Sequence, residues 1–330
     1  MNEGWGPSAG RAPTGGLLTV HAHPDDETLS NGALLATWAG SGRPVTVVTC
    51  TRGEQGEVIG SDLAHLEGDG PALAAHRETE LAGALRALGP DDHLFLDSVD
   101  VAEPTSDSRT TQRFVDSGMA WVTVGQAAAR DEIPAGAFVT VPLDDAATRL
   151  AAVLRDRRPD VVVCDEPGGG YGHPDHIRAH RVVRRALELA ASHEPGLPGE
   201  PHTAAAVLWT VLDESVLRSG YRGLQTLVGS ESLLAVPDPE GPVPSAAGSQ
   251  VDVTVSVLPV LRRVLAALRA HRTQVHAVQE ITGGPDGPVV AAYALSNGVL
   301  APVLRTETYR FAWGSPTRSV SWPAGVAAVT

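Results

Sequence analysis

The sequence predicts an α/β fold: a Rossmann-like, doubly wound, mostly parallel sheet with a smaller C-terminal α+β portion. Three observations predict it. Residues 17–23 (LLTVHAH), 43–51 (RPVTVVTCT) and 159–166 (PDVVVCDE) are short apolar runs rich in β-branched residues, the pattern of strands buried on both faces. The first two enclose a helical pattern, which makes a βαβ unit with parallel strands and a right-handed crossover. The two densest polar clusters, HPDDE and GGGYGHPDH, directly follow two of these runs, where ligands bind in such sheets.

The elements follow in order. Residues 28–42 form a helix, with Leu29, Leu34, Leu35 and Trp38 at helical spacing and Gly40 and Gly42 ending it. A Gly/Glu loop (52–62) leads to a helix over 71–89 that stops at Gly89-Pro90. Residues 93–97 are a short third strand, and 98–142 read as irregular. A helix at about 145–157 precedes the strand at 159–166, the GGGYGHPDH loop and a helix over 177–193. A strand at 205–212, a Gly/Pro/Ser-rich insertion or domain edge at 219–250, a helix at about 257–272 and a strand pair near 300–313 close the chain. This divides the chain into a floppy tail (1–16), a Rossmann-like core (17–200) and a C-terminal portion (201–330) that completes the sheet and pocket within one continuous domain.

Composition excludes several classes. The net charge of −14 argues against nucleic acid, whose phosphates require a basic face. No stretch is long and apolar enough to span a bilayer and no signal peptide leads the chain. The two cysteines, Cys50 and Cys164, lie in strand-like runs and make no disulfide framework, so a cytoplasmic location is expected. All 25 basic residues are arginine, which removes Schiff-base chemistry, pyridoxal phosphate anchoring and Walker-A phosphate binding, since each needs a lysine.

The polar clusters point to a metal. On a strand, His21 and His23 would share a face, while Pro24 turns Asp25 and Asp26 in different directions. One aspartate can then bind a cation and the other stay free as a base. A catalytic zinc takes three protein ligands and leaves a position for water. HPDDE offers an imidazole and a carboxylate, and His173-Pro174-Asp175-His176 offers the remainder. Each segment alone could be no more than a helix cap, because Asp caps and Pro starts helices. Two such segments on one α/β pattern favour the metal.

AHPDDE followed by HPDH resembles the GlcNAc-phosphatidylinositol de-N-acetylase superfamily, the LmbE-like metal-dependent deacetylases. HAHPDDETLSNGALLA, VVTCTRGEQGEVIG, ELAGALRALG, RFVDSGMA and GGGYGHPDH resemble its branch that removes acetate from N-acetylglucosaminyl-inositol in mycothiol biosynthesis. These segments span about residues 17–186, with a weaker echo at AHRTQV (270–275). The resemblance implies one Zn2+ per subunit, with Fe2+ as an alternative, held by His23, Asp26 and His176. It implies Asp25 as general base and His173 as the group that stabilises the transition state or protonates the leaving amine. Tyr171 would polarise the acetyl carbonyl, on a base that the glycine run before it would make mobile. Arg77 and Asp116 would hold sugar or inositol hydroxyls with Glu57 nearby, and Asp175 would orient a histidine from behind. The partner is a small amino-sugar inositol, with no nucleic acid or membrane, and the oligomeric state stays open.

Other readings stand beside these. Arg77 could simply pair with Glu78 or Glu80, Asp116 could be a solvated loop residue, and His21 could support the site from below. His180 reads as a surface or supporting residue, and His65, His193, His271 and His276 as ordinary. Residues 122–136 look inserted and 214–256 do not align with the branch. Rival functions are the sister amidase that cleaves mycothiol S-conjugates, another amino-sugar deacetylase, a nucleotide-binding module and a non-catalytic metal protein. HPDDE in place of G-x-G-x-x-G counts against the nucleotide, and Asp25 counts against mere metal binding.

Overall fold

The computed structural model describes residues 15–101, 113–123, 126–130, 132–193, 196–227, 234–244, 246–248, 250–281, 287–313, 316 and 319–328. Most of the expected N-terminal tail, residues 1–14, lies outside the described residues. The first half holds β1 (Leu17–His21), α1 (Asp26–Gly40), β2 (Val45–Thr49), α2 (Gly70–Leu88), β3 (Asp92–Phe95), β4 (Ala120–Thr123), β5 (Gln126–Ala128), α3 (Leu143–Arg157) and β6 (Val161–Asp165). The second holds α4 (Gly169–Gly172), α5 (Pro174–Ala191), β7 (Ala206–Asp213), α6 (Glu214–Leu227), β8 (Ala247–Gly248), β9 (Val253–Ser256), α7 (Leu261–Ala270), β10 (His276–Glu280), β11 (Val289–Ala294), β12 (Leu300–Leu304), β13 (Thr306–Phe311) and β14 (Val326–Ala328).

Nine strands form the main sheet, eight in the order β14-β9-β13-β7-β6-β1-β2-β3, with β8 paired to the end of β7. Strands β3, β2, β1, β6 and β7 are parallel, whereas β13, β9 and β14 extend the sheet antiparallel. The chain leaves β1 toward β2 and β3 on one side, and leaves β6 toward β7 on the other. Strand order therefore reverses between β1 and β6, and a crevice opens beyond their carboxyl ends.

Side chains alternate between two cores, as the two-residue strand period requires. Leu17, Val45, Val47, Val161 and Val163 pack on one face under α1, α2 and α7. Leu18, Val20, Val48, Val162 and Cys164 pack on the other under α3 and α5. Each fully buried aliphatic contributes about 1.5–3 kcal/mol, so the strands beneath the crevice are firmly held. Cys50 and Cys164 are buried free thiols. No described helix is long and apolar enough to cross a membrane.

Helix α1 is broken at Asn31 (φ −138°, ψ 15°). The amides freed by the break donate to Glu307: Ala33 N–H to Oε1 at 2.6 Å and Leu34 N–H to Oε2 at 2.9 Å. Tyr309 donates its hydroxyl proton to the same carboxylate at 2.8 Å. Burial still outweighs these three bonds and pushes the Glu307 carboxyl up to about 7.

Several elements differ from the sequence expectation. Residues 98–142 contain the β4–β5 hairpin, so the segment that looked inserted is partly ordered strand. The region read as beginning an insertion at 219 is still helical through Leu227. The strands near 300–313 do not pair with one another. Strand β12 joins β10 and β11 in a separate antiparallel sheet, and β13 enters the main sheet. Strands β9 and β14 have only four and three residues, too few to display a period.

Candidate active site and metal centre

β1 ends at His21 rather than running on to His23, because Pro24 carries no N–H and the chain is already turning. The turn closes on itself: His23 N–H donates to Asp26 Oδ2 at 2.8 Å, and Thr28 and Leu29 N–H donate to Asp25 O, both at 2.9 Å. The two histidines consequently do not share a strand face. His21 Nε2 meets Thr19 Oγ1 at 2.9 Å behind the site, while His23 enters it. Asp25 adopts φ 116°, ψ −32°, a conformation that L residues rarely take and that costs about 1–3 kcal/mol.

Three imidazoles meet beyond β1 and β6. The rings of His23 and His176 lie 5.2 Å apart between centroids, and His23, His173 and His176 each offer a nitrogen within 4.8 Å of the others. Asp26 Oδ2 lies 3.5 Å from His23 Nδ1 and 3.4 Å from His176 Nε2. The other nitrogen of each ring faces carboxylates. His176 Nδ1 is 3.0 Å from Asp165 Oδ2, and His23 Nε2 is 3.4 Å from both Asp116 Oδ1 and Asp175 Oδ2. To hold a cation together with Asp26, each ring would have to present a lone pair on the nitrogen nearest that carboxylate, which would place the protons on His176 Nδ1, against Asp165, and on His23 Nε2, against Asp116 and Asp175. The lone pairs of His176 Nε2 and His23 Nδ1 then turn toward Asp26. His176 Nε2 is buried without a hydrogen-bond partner among the described residues. A buried imidazole nitrogen without a hydrogen-bond partner, beside a second imidazole and a carboxylate, fits a divalent cation, and histidines braced from behind by carboxylates are the usual metal arrangement.

The local charge agrees. Burial disfavours the imidazolium form of His23 and His176, yet the surrounding carboxylates raise the proton affinity of both. Burial likewise opposes ionisation of Asp26, but His176 and His23 hold its carboxyl far below the usual range. A pocket that draws protons onto its imidazoles will draw a cation.

Asp25 is pushed up to about 6, chiefly by burial and partly countered by Arg77. Arg77 Nη2 donates to Asp25 Oδ2 at 3.0 Å and to Pro24 O, and Nη1 donates to Gly53 O at 2.9 Å. It is only 3% exposed. Its guanidinium is thus directed at Asp25 rather than at open solvent or at Glu78 and Glu80, and sugar hydroxyls have little access to it. Asp116 is also buried and internally bonded, accepting from Gly118 N–H at 2.8 Å and Gln55 N–H at 3.1 Å. Glu57 is exposed on the 52–62 loop.

The GGGYGHPDH segment is a short turn, α4, followed by a helix that starts at Pro174 instead of 177. His173 caps α5, its Nδ1 accepting from Asp175 N–H at 3.1 Å, so its proton sits on Nε2. Burial, reinforced by His23 and His176, pushes the proton affinity of His173 well down. Asp175 accepts from Ser117 N–H at 2.8 Å and Ser117 Oγ–H at 2.5 Å, which fixes it behind His23. The Tyr171 ring lies 5.1 Å from that of His176, and burial pushes its hydroxyl well above the ordinary value. Gly172 has φ 97°, and a Cβ there would lie 2.6 Å from Ala127 O, so packing against β5 requires this glycine.

Sequence reasoning missed Asp165, Ser117 and Glu27. Asp165 looked like the last residue of a strand, and only the adjacency of β6 to the α5 N-terminus brings it to His176. His180, read as a surface or supporting residue, supports the site from inside, and His271, read as ordinary, is part of the interior. His180 is buried, with Nδ1 2.9 Å from Asp165 O. His271 is fully buried, with Nε2 2.8 Å from Glu27 Oε1.

Residues 18–187 match the PIG-L family, GlcNAc-PI de-N-acetylase. The chain is 43% identical over 302 residues to the 1D-myo-inositol 2-acetamido-2-deoxy-alpha-D-glucopyranoside deacetylase of Kineococcus radiotolerans, covering 90% of this chain and 77% of that protein. It is 42% identical over 304 residues to the protein of the same name from Streptomyces avermitilis, covering 90% and 92%. Among solved structures, the 4-carboxy-2-hydroxymuconate hydratase of Pseudomonas putida aligns with a TM-score of 0.51 at 15% identity, over 93% of this chain and 99% of that one. At that identity the likeness concerns the fold alone.

Proposed function

The chain belongs to the GlcNAc-PI de-N-acetylase family, and on that premise we propose that it hydrolyses the acetamide of 1D-myo-inositol 2-acetamido-2-deoxy-alpha-D-glucopyranoside to glucosaminyl-inositol and acetate. The observation that carries this reading is the meeting of His23, Asp26 and His176 next to an arginine-anchored carboxylate, in a chain about 40% identical to relatives of that name. Hydrolysis of a linear amide needs an activated water, a polarised carbonyl and a proton for the departing nitrogen.

His23, Asp26 and His176 would hold one zinc ion, although ferrous iron also suits two imidazoles and a carboxylate. When bound, the ion supplies Lewis acidity, which brings the pKa of a water to about 7 and polarises the acyl oxygen. Asp25 takes the proton from the attacking water, and its carboxyl, pushed up to about 6, is suited to a base working near neutrality. Arg77 holds that carboxylate at one angle. His173, neutral with its proton on Nε2, donates a hydrogen bond to the developing oxyanion, and the proton that Asp25 took from the water passes to the departing nitrogen. Tyr171 donates its hydroxyl proton to the same oxyanion. Asp175 and Asp116 keep His23 oriented, and Glu57 meets substrate hydroxyls from the exposed loop.

The test is acetate release from N-acetylglucosaminyl-inositol by wild type and Asp25→Asn, with and without a chelator. Wild type should release acetate, the chelator should abolish release, and Asp25→Asn should lose at least about 100-fold while keeping its metal. Undiminished turnover after complete metal removal would defeat the reading.

A further inference from the structure

The stretch HRTQ at 271–274 takes no part in the chemistry above, yet it reaches back to the site from the C-terminal third. His271 follows α7 and Glu27 lies in the first turn of α1, and both side chains are 0% exposed. Glu27 Oε1 receives His271 Nε2 at 2.8 Å and the Thr28 hydroxyl at 2.5 Å. Glu27 Oε2 accepts Asp25 N–H at 2.9 Å. Thr273 donates its N–H and hydroxyl to Glu80 on α2, at 2.8 and 2.6 Å. Thr273 O accepts Ile59 N–H at 2.9 Å, and Gln274 Nε2 donates to Glu57 O at 2.8 Å.

We infer that residues 271–274 form a positioning clip for the active site, in which His271 acts through Glu27 to hold Asp25 in its working conformation. Asp25 at φ 116° keeps that shape only if its surroundings over-determine it. The amides of Thr28 and Leu29 hold its carbonyl, Arg77 holds its carboxylate, and Glu27 holds its N–H. Glu27 has no arginine partner among the described residues; the Thr28 hydroxyl and His271 both hold its Oε1, and of the two His271 is the contact from outside α1 that fixes the rotamer presenting Oε2 to Asp25. Thr273 and Gln274 tie the same clip to α2 and to the loop that carries Glu57.

This rests on the proposed deacetylase reading, and the variants are His271→Leu, His271→Gln and Glu27→Gln. Acetate release, zinc content and the Asp25 amide proton resonance of the metal-free protein are measured for each. His271→Leu should lower kcat at least about tenfold with KM and zinc content unchanged. His271→Gln, which keeps an N–H donor, should recover most of that loss. The Asp25 amide resonance should move upfield in His271→Leu as its bond to Glu27 loosens. A His271→Leu protein with wild-type kcat per bound zinc and only a lowered melting temperature would overturn the inference, reducing the clip to a brace of the fold. If that variant does not fold, Glu27→Gln carries the comparison, because its single oxygen cannot accept from both Asp25 and His271; wild-type kcat there overturns the inference equally. Absence of acetate release by wild type would sink the deacetylase reading instead, and the amide resonance would still decide the clip.

Discussion

Replacing Asp165 tests the metal centre at a residue that touches neither cation nor substrate. Its Oδ2 accepts His176 Nδ1–H at 3.0 Å, with the two side chains 13% and 4% exposed. A hydrogen bond with a charged partner in such a setting is worth about 1.5–3 kcal/mol. At about 1.4 kcal/mol per tenfold, that corresponds to a loss of about 10–100-fold in cation affinity, the range known for groups that brace metal-bound histidines. Asp165→Leu removes both charge and acceptor and should show the full loss. Asp165→Asn keeps an oxygen and should lose roughly tenfold or less. An opposing effect must be kept small. Asp165 is among the carboxylates that raise the proton affinity of His176, so its removal weakens proton competition for Nε2. Measuring at pH 8 suppresses that contribution. The assay is zinc competition against a chromophoric chelator, with near-ultraviolet circular dichroism to confirm folding. Zinc affinity within twofold of wild type in Asp165→Leu would refute the assignment of His176 Nε2 as the metal-facing atom.

Three further outcomes follow from the geometry. Arg77→Met leaves Asp25 buried without its cation, which should cost about 3–5 kcal/mol in urea unfolding. Arg77 lowers the Asp25 proton affinity, so its loss should move the acid limb of kcat/KM to higher pH, because the base works only when deprotonated; an unmoved limb contradicts Asp25 as the base. Gly172→Ala combines a residue at φ 97° with a Cβ 2.6 Å from Ala127 O, and should destabilise by about 2 kcal/mol or more while lowering kcat; a wild-type unfolding midpoint contradicts it. Glu307, pushed up from 4.5 to about 7, binds its proton more tightly folded than unfolded. Its stabilising contribution is therefore full below about pH 4.5 and lost as pH rises through 7, a change of about 3 kcal/mol. The stability difference between wild type and Glu307→Gln should decline by that amount from pH 4.5 to 8, and a difference independent of pH contradicts it.

The parallel core was legible because its signals are local. Strands buried on both faces must be apolar and β-branched, as residues 45–49 and 161–165 are, and a helix between two such runs leaves few topologies. The clusters at 23–26 and 173–176 were legible for the same reason, since a turn crowded with His and Asp at a strand end is costly unless something binds there. The antiparallel flank was not legible. Strands as short as β14 are defined by what they pair with, and the pairing partner of β14, at 253–255, lies some 70 residues upstream.

The sequence by itself determined the chemistry available: imidazoles, carboxylates and a tyrosine at the carboxyl ends of two strands, with no lysine anywhere. Only the tertiary structure decided which atoms face the cation and which hold them there. Arg77 meets Asp25 across 52 positions, and His271 meets Glu27 across 244. Such contacts arise from strand order and helix packing, and no spacing within one segment encodes them. A side chain's identity is a property of its position in the chain, whereas its tautomer, burial and partner are properties of what the rest of the fold brings against it.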